Sequence, residues 1–492
     1  MSGLPKGWVE APLSQVTTKI GSGATPKGGH TAYATSGTPL IRSQNVHFSG
    51  FTDVGLAYLD DAQARNLDSV TVRHGDVLLN ITGASIGRVT LAPERMDGAR
   101  VNQHVSIIRP AEGMNSAFIA GFLASPSMQQ LIIAENYGVT RQALTKGMIE
   151  AIKLPVPPLP EQRRIVAKID SLTTKSRRAR DHLDHIPRLV EKYKQAILAA
   201  AFRGDLTREW RARKSADDVS PAALEELRKE AWGTFSASSR YSVADGIDWR
   251  PDIDLPPGWV WASVDQLSHL IQYGSSAKTN DDETGVAVLR MGNLQGGSLD
   301  LNSLKYLPQD HHEFPTLLLQ RGDVLFNRTN SAELVGKTAV YDEEPARASF
   351  ASYLIRIKTC GFVPRLLSAY INSHYGREWV ASVVNQQVGQ ANVNGTKLRQ
   401  LGVPVMPLAE QAELLHRIET AFAWIDRLAA EATSARKLID RLDQAVLAKA
   451  FRGELVPQDP SDEPAGMLLE RIRAERGAAP KPRRGRRPAA EA

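Results

Sequence analysis

A set of sequence words returns in this chain after about 249 residues, and that constrains the fold more than any other feature. AILAAAFRGDL at Ala196–Leu206 recurs as AVLAKAFRGEL at Ala445–Leu455, and LPVPPLPEQ at Leu154–Gln162 recurs as VPVMPLAEQ at Val403–Gln411, both shifted by 249. GDVLLNITG at Gly75–Gly83 returns as GDVLFNRTN at Gly322–Asn330 after 247 residues, and LPKGWV at Leu4–Val9 returns as LPPGWV at Leu255–Val260 after 251. An offset that drifts by a few residues is what loop insertions and deletions leave behind. One unit of about 205 residues is therefore used twice.

Each unit has two parts. The first mixes short β-type runs with Gly, Asn and Ser turns, as at Pro39–Val46, Val77–Asn80 and Val105–Arg109, then Val286–Leu294, Val324–Asn327 and Leu354–Ile357. A helix is expected over Ser116–Glu135 from its apolar spacing. The second part carries apolar residues at alternating steps of four and three for about five heptads: Ile165, Ile169, Leu172, Leu183, Val190 and Ile197 in one copy, Leu414, Ile418, Ile425, Leu428, Ile439, Leu442 and Val446 in the other. Pro160 suits a helix start, Gly204 and Gly453 suit stops, and Pro187 should kink the first helix. Two seams of equal length predict an antiparallel intramolecular coiled coil and a pseudo-twofold arrangement.

The expected fold class is α+β. The segments are a globular domain over 1–157, a spacer helix over 158–206, a linker with a short helix over 207–254, a second globular domain over 255–406, a second spacer helix over 407–455, and a short helix with a basic tail over 456–492. The linker helix is expected at Pro221–Trp232, with its counterpart at Pro464–Arg476.

The net charge of +6 belongs to the tail, because residues 471–492 hold eight Lys/Arg against two Asp/Glu. KPRRGRRP at Lys481–Pro488 lacks an apolar period and is expected to be disordered. The rest of the chain is neutral overall. The first domain has 13 basic and 11 acidic residues and the second 13 of each, so any contact with nucleic acid needs a segregated basic face. Cys360 is the only cysteine, which excludes an internal disulfide and a cysteine zinc site. No run approaches the ~20 apolar residues of a membrane helix, and MSGLPKGWVE has no apolar signal core, so a cytoplasmic protein is expected.

Catalytic signatures are missing. GKT at Gly336–Thr338 follows Ser331 where a phosphate loop needs glycine, and in GSGATP Pro26 stands where a dinucleotide fingerprint needs its third glycine. His311 and His312 are adjacent and point apart in regular structure, which argues against a metal site. No GxSxG elbow, Asp/Asn-Pro-Pro-aromatic string or nuclease carboxylate motif occurs.

Two globules, each followed by a long helix that begins near P-L-x-E-Q (Pro158–Gln162, Pro407–Gln411) and ends in A-F-R-G-[DE]-L (Ala201–Leu206, Ala450–Leu455), resemble the specificity subunit of Type I restriction–modification systems. GDVLLN and GDVLFN resemble the internal motif of that family's target recognition domains. The resemblance implies a non-catalytic DNA-recognition chain. Each domain would read half of a bipartite site on double-stranded DNA, and the coiled coil would set the gap and dock two modification subunits. Restriction subunits would then join. No cofactor would be bound here; S-adenosylmethionine, ATP and Mg2+ would sit on the partners. Two other readings are a specificity subunit of a related nuclease complex cutting both sides of its site, and a coiled-coil scaffold that binds no DNA.

Base reading needs side chains that offer two hydrogen-bonding groups at once, Arg to guanine and Asn or Gln to adenine. The turns supply candidates. They are Arg42, Gln44, Asn45, Asn80, Thr82, Arg88, Arg141 and Gln142 in the first domain, and Arg290, Asn293, Asn327, Arg328, Thr329, Asn330, Lys337, Gln390, Asn392 and Lys397 in the second. Residues shared by both copies, such as Asn80 and Asn327, fit a role in the fold or on phosphate. Domains that read different bases should differ where they read, which favours Arg328, Asn330, Gln390, Arg141 and Gln142.

Overall fold

The computed structural model describes residues 3–26, 33–135, 143–214, 218–235, 241–331, 334–387 and 390–478. Its contacts divide the chain into two compact units, residues 1–184 with 433–492, and residues 185–432.

In the first unit a four-stranded antiparallel sheet runs in the order Thr17–Ser22, Val105–Pro110, Val77–Asn80, Val89–Leu91. A second sheet sets Thr38–Ile41 between Ala57–Leu59 and Arg100–Val101, the last pairing parallel. Val77–Asn80 is buried along its whole length because both faces are covered. Strand side chains alternate between faces, so Val77 and Leu79 enter the core built around Phe118 and Ile119, while Leu78 and Ile107 enter a second cluster with Ile41 and Val101.

The second unit has the same order: Ser268–Tyr273, Leu354–Thr359, Val324–Asn327, Thr338–Val340. Its second sheet sets Val286–Leu289 between Lys305–Leu307 and Ala348–Phe350, again with one parallel pairing. Val324 and Phe326 face one core and Leu325 the other. Among the described residues, only this unit adds a small sheet of Thr329–Asn330, Gln390–Asn392 and Asn385–Gln387.

The helix expected over Ser116–Glu135 is two helices, Ser116–Leu123 and Pro126–Glu135, bent by 56°. Pro126 has no N–H to continue the ladder, and its ring disfavours the α region at Ser125. The first spacer helix is likewise broken, into Leu159–Asp184 and Ile186–Phe202, with Pro187 in the first turn of the second piece. Leu408–Arg452 has no internal proline and runs 45 residues without a break, about 67 Å at 1.5 Å per residue. The linker helix spans Pro221–Phe235 and its counterpart Ala465–Ala478. No single helix among the described residues is long and apolar enough to cross a membrane.

Each unit holds the start of one spacer helix and the end of the other. In the first, Arg180 of Leu159–Asp184 pairs with Asp440 and Asp443, and Phe451 lies edge-on to Phe118 and Phe122 at 5.2 and 5.4 Å. In the second, Lys194 reaches Asp426 at 2.6 Å and lies over the Phe422 ring, and Phe202 lies edge-on to Tyr370 at 5.0 Å. Of the seam residues, Ile165 and Val446 are buried in the first unit and Leu414, Ile418 and Ile425 in the second. Ile169, Leu172, Leu183 and Ile439 are half-buried in the first unit, as are Val190 and Ile197 in the second. Leu442 and Leu428 are exposed at 53% and 41%.

The repeated words of the sequence are joints between helix and globule. Trp8 Nε1 donates to Glu161 Oε2 at 3.0 Å, and Trp259 Nε1 donates to Glu410 Oε2 at 2.9 Å. The neighbouring Gln162 accepts from Asn115 N at 2.9 Å, as Gln411 accepts from Val363 N at 2.8 Å. Gly204 and Gly453 have φ of 76° and 74°, and a Cβ there would sit 2.3 Å from Pro256 and 2.4 Å from Pro5. Glycine is needed on both counts.

Candidate nucleic-acid interface

Both domains build a polar corner at one end of the four-stranded sheet. In the first domain the chain turns at Arg42–Asn45. The buried Asn45 holds this turn: its Oδ1 accepts from Arg42 N at 3.0 Å, and its Nδ2 donates to the carbonyls of Thr52 and Val54. Arg42 and Gln44 both donate to the Gly55 carbonyl, Gln44 at 2.8 Å. Asn80, at the end of its strand, donates through Nδ2 to Ser43 O at 2.8 Å, and its backbone N donates to Arg88 O. Thr82 pairs with the His104 ring, and Arg88 is half-buried. Arg42, Gln44, Asn45, Asn80 and Arg88 are therefore brought together. Arg141 and Gln142 lie outside the described residues.

The second domain repeats the corner. Asn293 Oδ1 accepts from Arg290 N at 2.8 Å, its Nδ2 donates to Asp300 O at 2.8 Å, and Arg290 donates to Ser303 O at 2.9 Å. Asn327 donates to Leu334 O at 3.3 Å, and its backbone N donates to Lys337 O. Lys337 Nζ donates to Gln295 Oε1 at 3.3 Å. Thr329 donates to Asn392 Oδ1 at 3.1 Å across the small added sheet, whose backbone also includes Asn330 and Gln390. Arg328 leaves the same strand end and lies over the Tyr273 ring at 4.9 Å. Lys397 is apart from this group and pairs with Asp248 at 2.7 Å.

The shared Gly-Asp-Val-Leu word begins at the opposite end of the strand that carries Asn80 or Asn327. Gly75 and Gly322 turn with positive φ, and the following aspartate receives the backbone of the turn, Arg73 N at 2.8 Å on Asp76 and Gln320 N at 3.0 Å on Asp323. Each aspartate is buried and paired with a cation from the neighbouring strand: Asp76 with Arg109 at 2.7 Å, and Asp323 with Lys358 at 2.8 Å and Arg356 at 3.4 Å. Burial pushes the Arg356 guanidinium below its ordinary range, while Asp323 pulls it back. These ions hold the scaffold. Arg109, Lys358 and Arg356 were not among the sequence candidates; the signal for the first two is a cation at the same strand position beside the aspartate in both copies, arginine in one and lysine in the other.

The buried amides of Asn80 and Asn327 each keep an Oδ1 without a hydrogen-bond partner, and Arg42 and Arg290 each keep such an Nε. The corner thus gathers half-buried guanidinium groups and, in the first domain, the exposed Gln44 amide around buried asparagines, the chemistry that recognises base edges and phosphates. Among the described residues no group of three or more His, Cys, Asp and Glu is placed to hold a metal ion. His311 and His312, expected to point apart, lie outside helix and strand and bring their rings to 4.5 Å at a tilt of 40°, with His311 beside Glu313.

Residues 5–184 match the family model "Type I restriction modification DNA specificity domain". The chain is 26% identical to the Type I restriction enzyme EcoKI specificity subunit of Escherichia coli K12, over 96% of this chain and 97% of that one. It is 25% identical to the StySPI specificity subunit of Salmonella potsdam over 96% of each. Among solved structures, the HsdS subunit from Thermoanaerobacter tengcongensis covers 92% of this chain at a TM-score of 0.58 and 20% identity. A chain from a study of complex assembly and conformational transition in a type I R-M system covers 92% at a TM-score of 0.61 and 20% identity.

Proposed function

We infer that this chain belongs to the Type I restriction–modification specificity subunits and is the DNA-sequence-recognition member of such a complex. The observation that carries this reading is the duplicated scaffold with a polar corner at the same sheet end in each unit. Two copies of one recognition frame suit a site in two halves. Domain 1–157 reads one half and domain 255–406 the other. The helices 158–206 and 407–455 pair antiparallel as a coiled coil, related by a pseudo-twofold axis, and set the unread gap. The crossed sharing of helix ends within each unit supports that pairing.

The domains are nearly neutral, so phosphate neutralisation by this chain alone is weak. Affinity then rests on the two modification subunits that dock on the helices, with restriction subunits joining them. S-adenosylmethionine, ATP and Mg2+ act on those partners, and this chain supplies the address without a bond-breaking residue. The basic tail at 471–492 adds non-specific attraction to the polyanion.

Mapping methylated bases in cells that carry this chain and its modification subunit tests the reading. A methylated motif in two specified halves separated by an unspecified gap is the expected result. No methylation dependent on this chain, or one contiguous motif, contradicts it.

A further inference from the structure

The two domains can be superimposed position by position through their backbone hydrogen bonds. Ile81 N donates to His104 O and Ile81 O accepts from Leu144 N; Arg328 N donates to Tyr353 O and Arg328 O accepts from Val393 N. Ile81 and Arg328 therefore hold one place. Ser22 lies opposite Ser106, which lies opposite Leu79; Tyr273 lies opposite Ile355, which lies opposite Phe326. Ser22 and Tyr273 hold a second place. Thr145 and Asn394 cap matching short helices, each accepting from the backbone three residues on, so Lys146 and Gly395 hold a third.

At these three places the copies part company, while Arg42/Arg290, Asn45/Asn293, Asn80/Asn327 and Asp76/Asp323 are retained. In the first domain Ile81 is 8% exposed and closes an apolar core. In the second domain an arginine replaces it, and its neighbours change to hold it. The guanidinium lies 4.9 Å from the centre of the Tyr273 ring. The Tyr273 hydroxyl accepts from Gly395 N at 2.9 Å, which fixes the ring. A Cβ on residue 395 would sit 2.6 Å from that hydroxyl, so glycine is required for the lock to close. Among the described residues no carboxylate pairs with Arg328, unlike Arg109 and Arg356. Its Nε is buried without a hydrogen-bond partner, so its hydrogen-bonding capacity is left to the outer edge of the guanidinium.

A cation held flat on a ring, unneutralised, and placed where two otherwise equal frames differ fits a specificity element. We propose that Arg328, positioned by Tyr273 and Gly395, is a base-reading residue of the second domain and recognises a guanine through bidentate contact with its O6 and N7. This deepens the DNA-recognition reading and rests on it. The first domain, with Ile81 in that place, reads its half-site by other residues.

The test uses the complex of the full chain with its modification subunit and a duplex carrying the methylated motif mapped for the wild type. Competitor duplexes each carry one base-pair substitution within the motif, and wild type is compared with Arg328→Gln and Arg328→Lys. The expected result is that Arg328→Gln loses a discrimination of roughly 10- to 100-fold at one G·C pair of one half-site, while every other position keeps its own. Arg328→Lys, a point charge without the planar fork, should restore overall affinity more than that discrimination. Retention of discrimination at all positions in Arg328→Gln, or its uniform decline across both halves, would overturn the assignment. A phosphate contact shows itself as lower affinity with the full discrimination pattern kept, and also overturns it. Failure of the wild-type complex to show a bipartite motif at all would sink the underlying function instead.

Discussion

The two joints between globule and spacer helix begin alike and end differently. Glu161 and Glu410 are both buried, and each accepts from a tryptophan of the GWV word. Glu410 has two further donors on its other oxygen, Oε1: Thr207 Oγ1 donates at 2.6 Å, and Arg211 pairs with the same oxygen. Glu161 has no such company, and its Oε1 meets no hydrogen-bond partner. The cause is local sequence. Thr207 and Arg211 follow the first AFRGDL word, whereas 249 residues on, after AFRGEL, stand Val456 and Pro460. Both copies keep the joint, and the second clasp is present in one of them. A shared motif therefore guarantees a shared contact but not a shared energy.

The largest effect should come from Glu410→Gln. Arg211 is only 19% exposed at its side chain and would be left without its carboxylate. Removing one partner of a buried pair costs about 3–5 kcal/mol, read as a lower denaturation midpoint for the second unit. If that midpoint stayed put, the ion pair would not be what distinguishes the joints.

Tryptophan replacement should reverse the order. Among the described residues Trp8 is the only side-chain donor to Glu161, whereas Glu410 keeps Thr207 and Arg211 after losing Trp259. Trp8→Phe should cost about 2 kcal/mol and Trp259→Phe about 1 kcal/mol. Hydrogen exchange of the amides following each GWV word would report both. Equal protection losses would contradict the asymmetry.

The smallest effect belongs to Glu161→Gln, and it carries a pH signature. Burial raises the Glu161 carboxyl above its ordinary value of 4.5, and the Trp8 hydrogen bond and Arg164 only partly offset this. An acid whose folded value is raised favours folding most at low pH, and that advantage is lost as pH rises through the raised value. Wild type should therefore lose stability relative to Glu161→Gln as pH rises through the raised value. Melting both proteins on either side of it checks the sign. A wild type that gains on the variant with rising pH would show that Glu161 is better satisfied than its surroundings allow.

Much of this architecture could be read from the residues because the repeat compares the chain with itself. The AFRG, GWV and P-L-x-E-Q words mark places where backbone meets side chain in one way only: Gly453 against Pro5, Trp8 on Glu161, Gln162 on Asn115. The break at His185 follows from Pro187. The break before Pro126 was equally present in the sequence, but a strong apolar period on both sides concealed it. The corner was harder to read. Arg42 and Asn45 look like base readers by type, yet both make local bonds that hold their turn. Tyr273 carries no pattern of its own, and it emerges only when strand register sets it against Ser22. Side-chain pose, which decides whether an arginine braces a loop or faces outward, is not encoded in spacing.

The central claim, one domain for one half-site, is tested most directly by exchange. Residues 1–157 would be replaced with the first domain of a relative that retains a tryptophan able to meet Glu161, and the methylated motif would be mapped in cells carrying the modification subunit. A motif with one half changed, and with the other half and the gap unchanged, is the predicted result. A motif changed in both halves would contradict it.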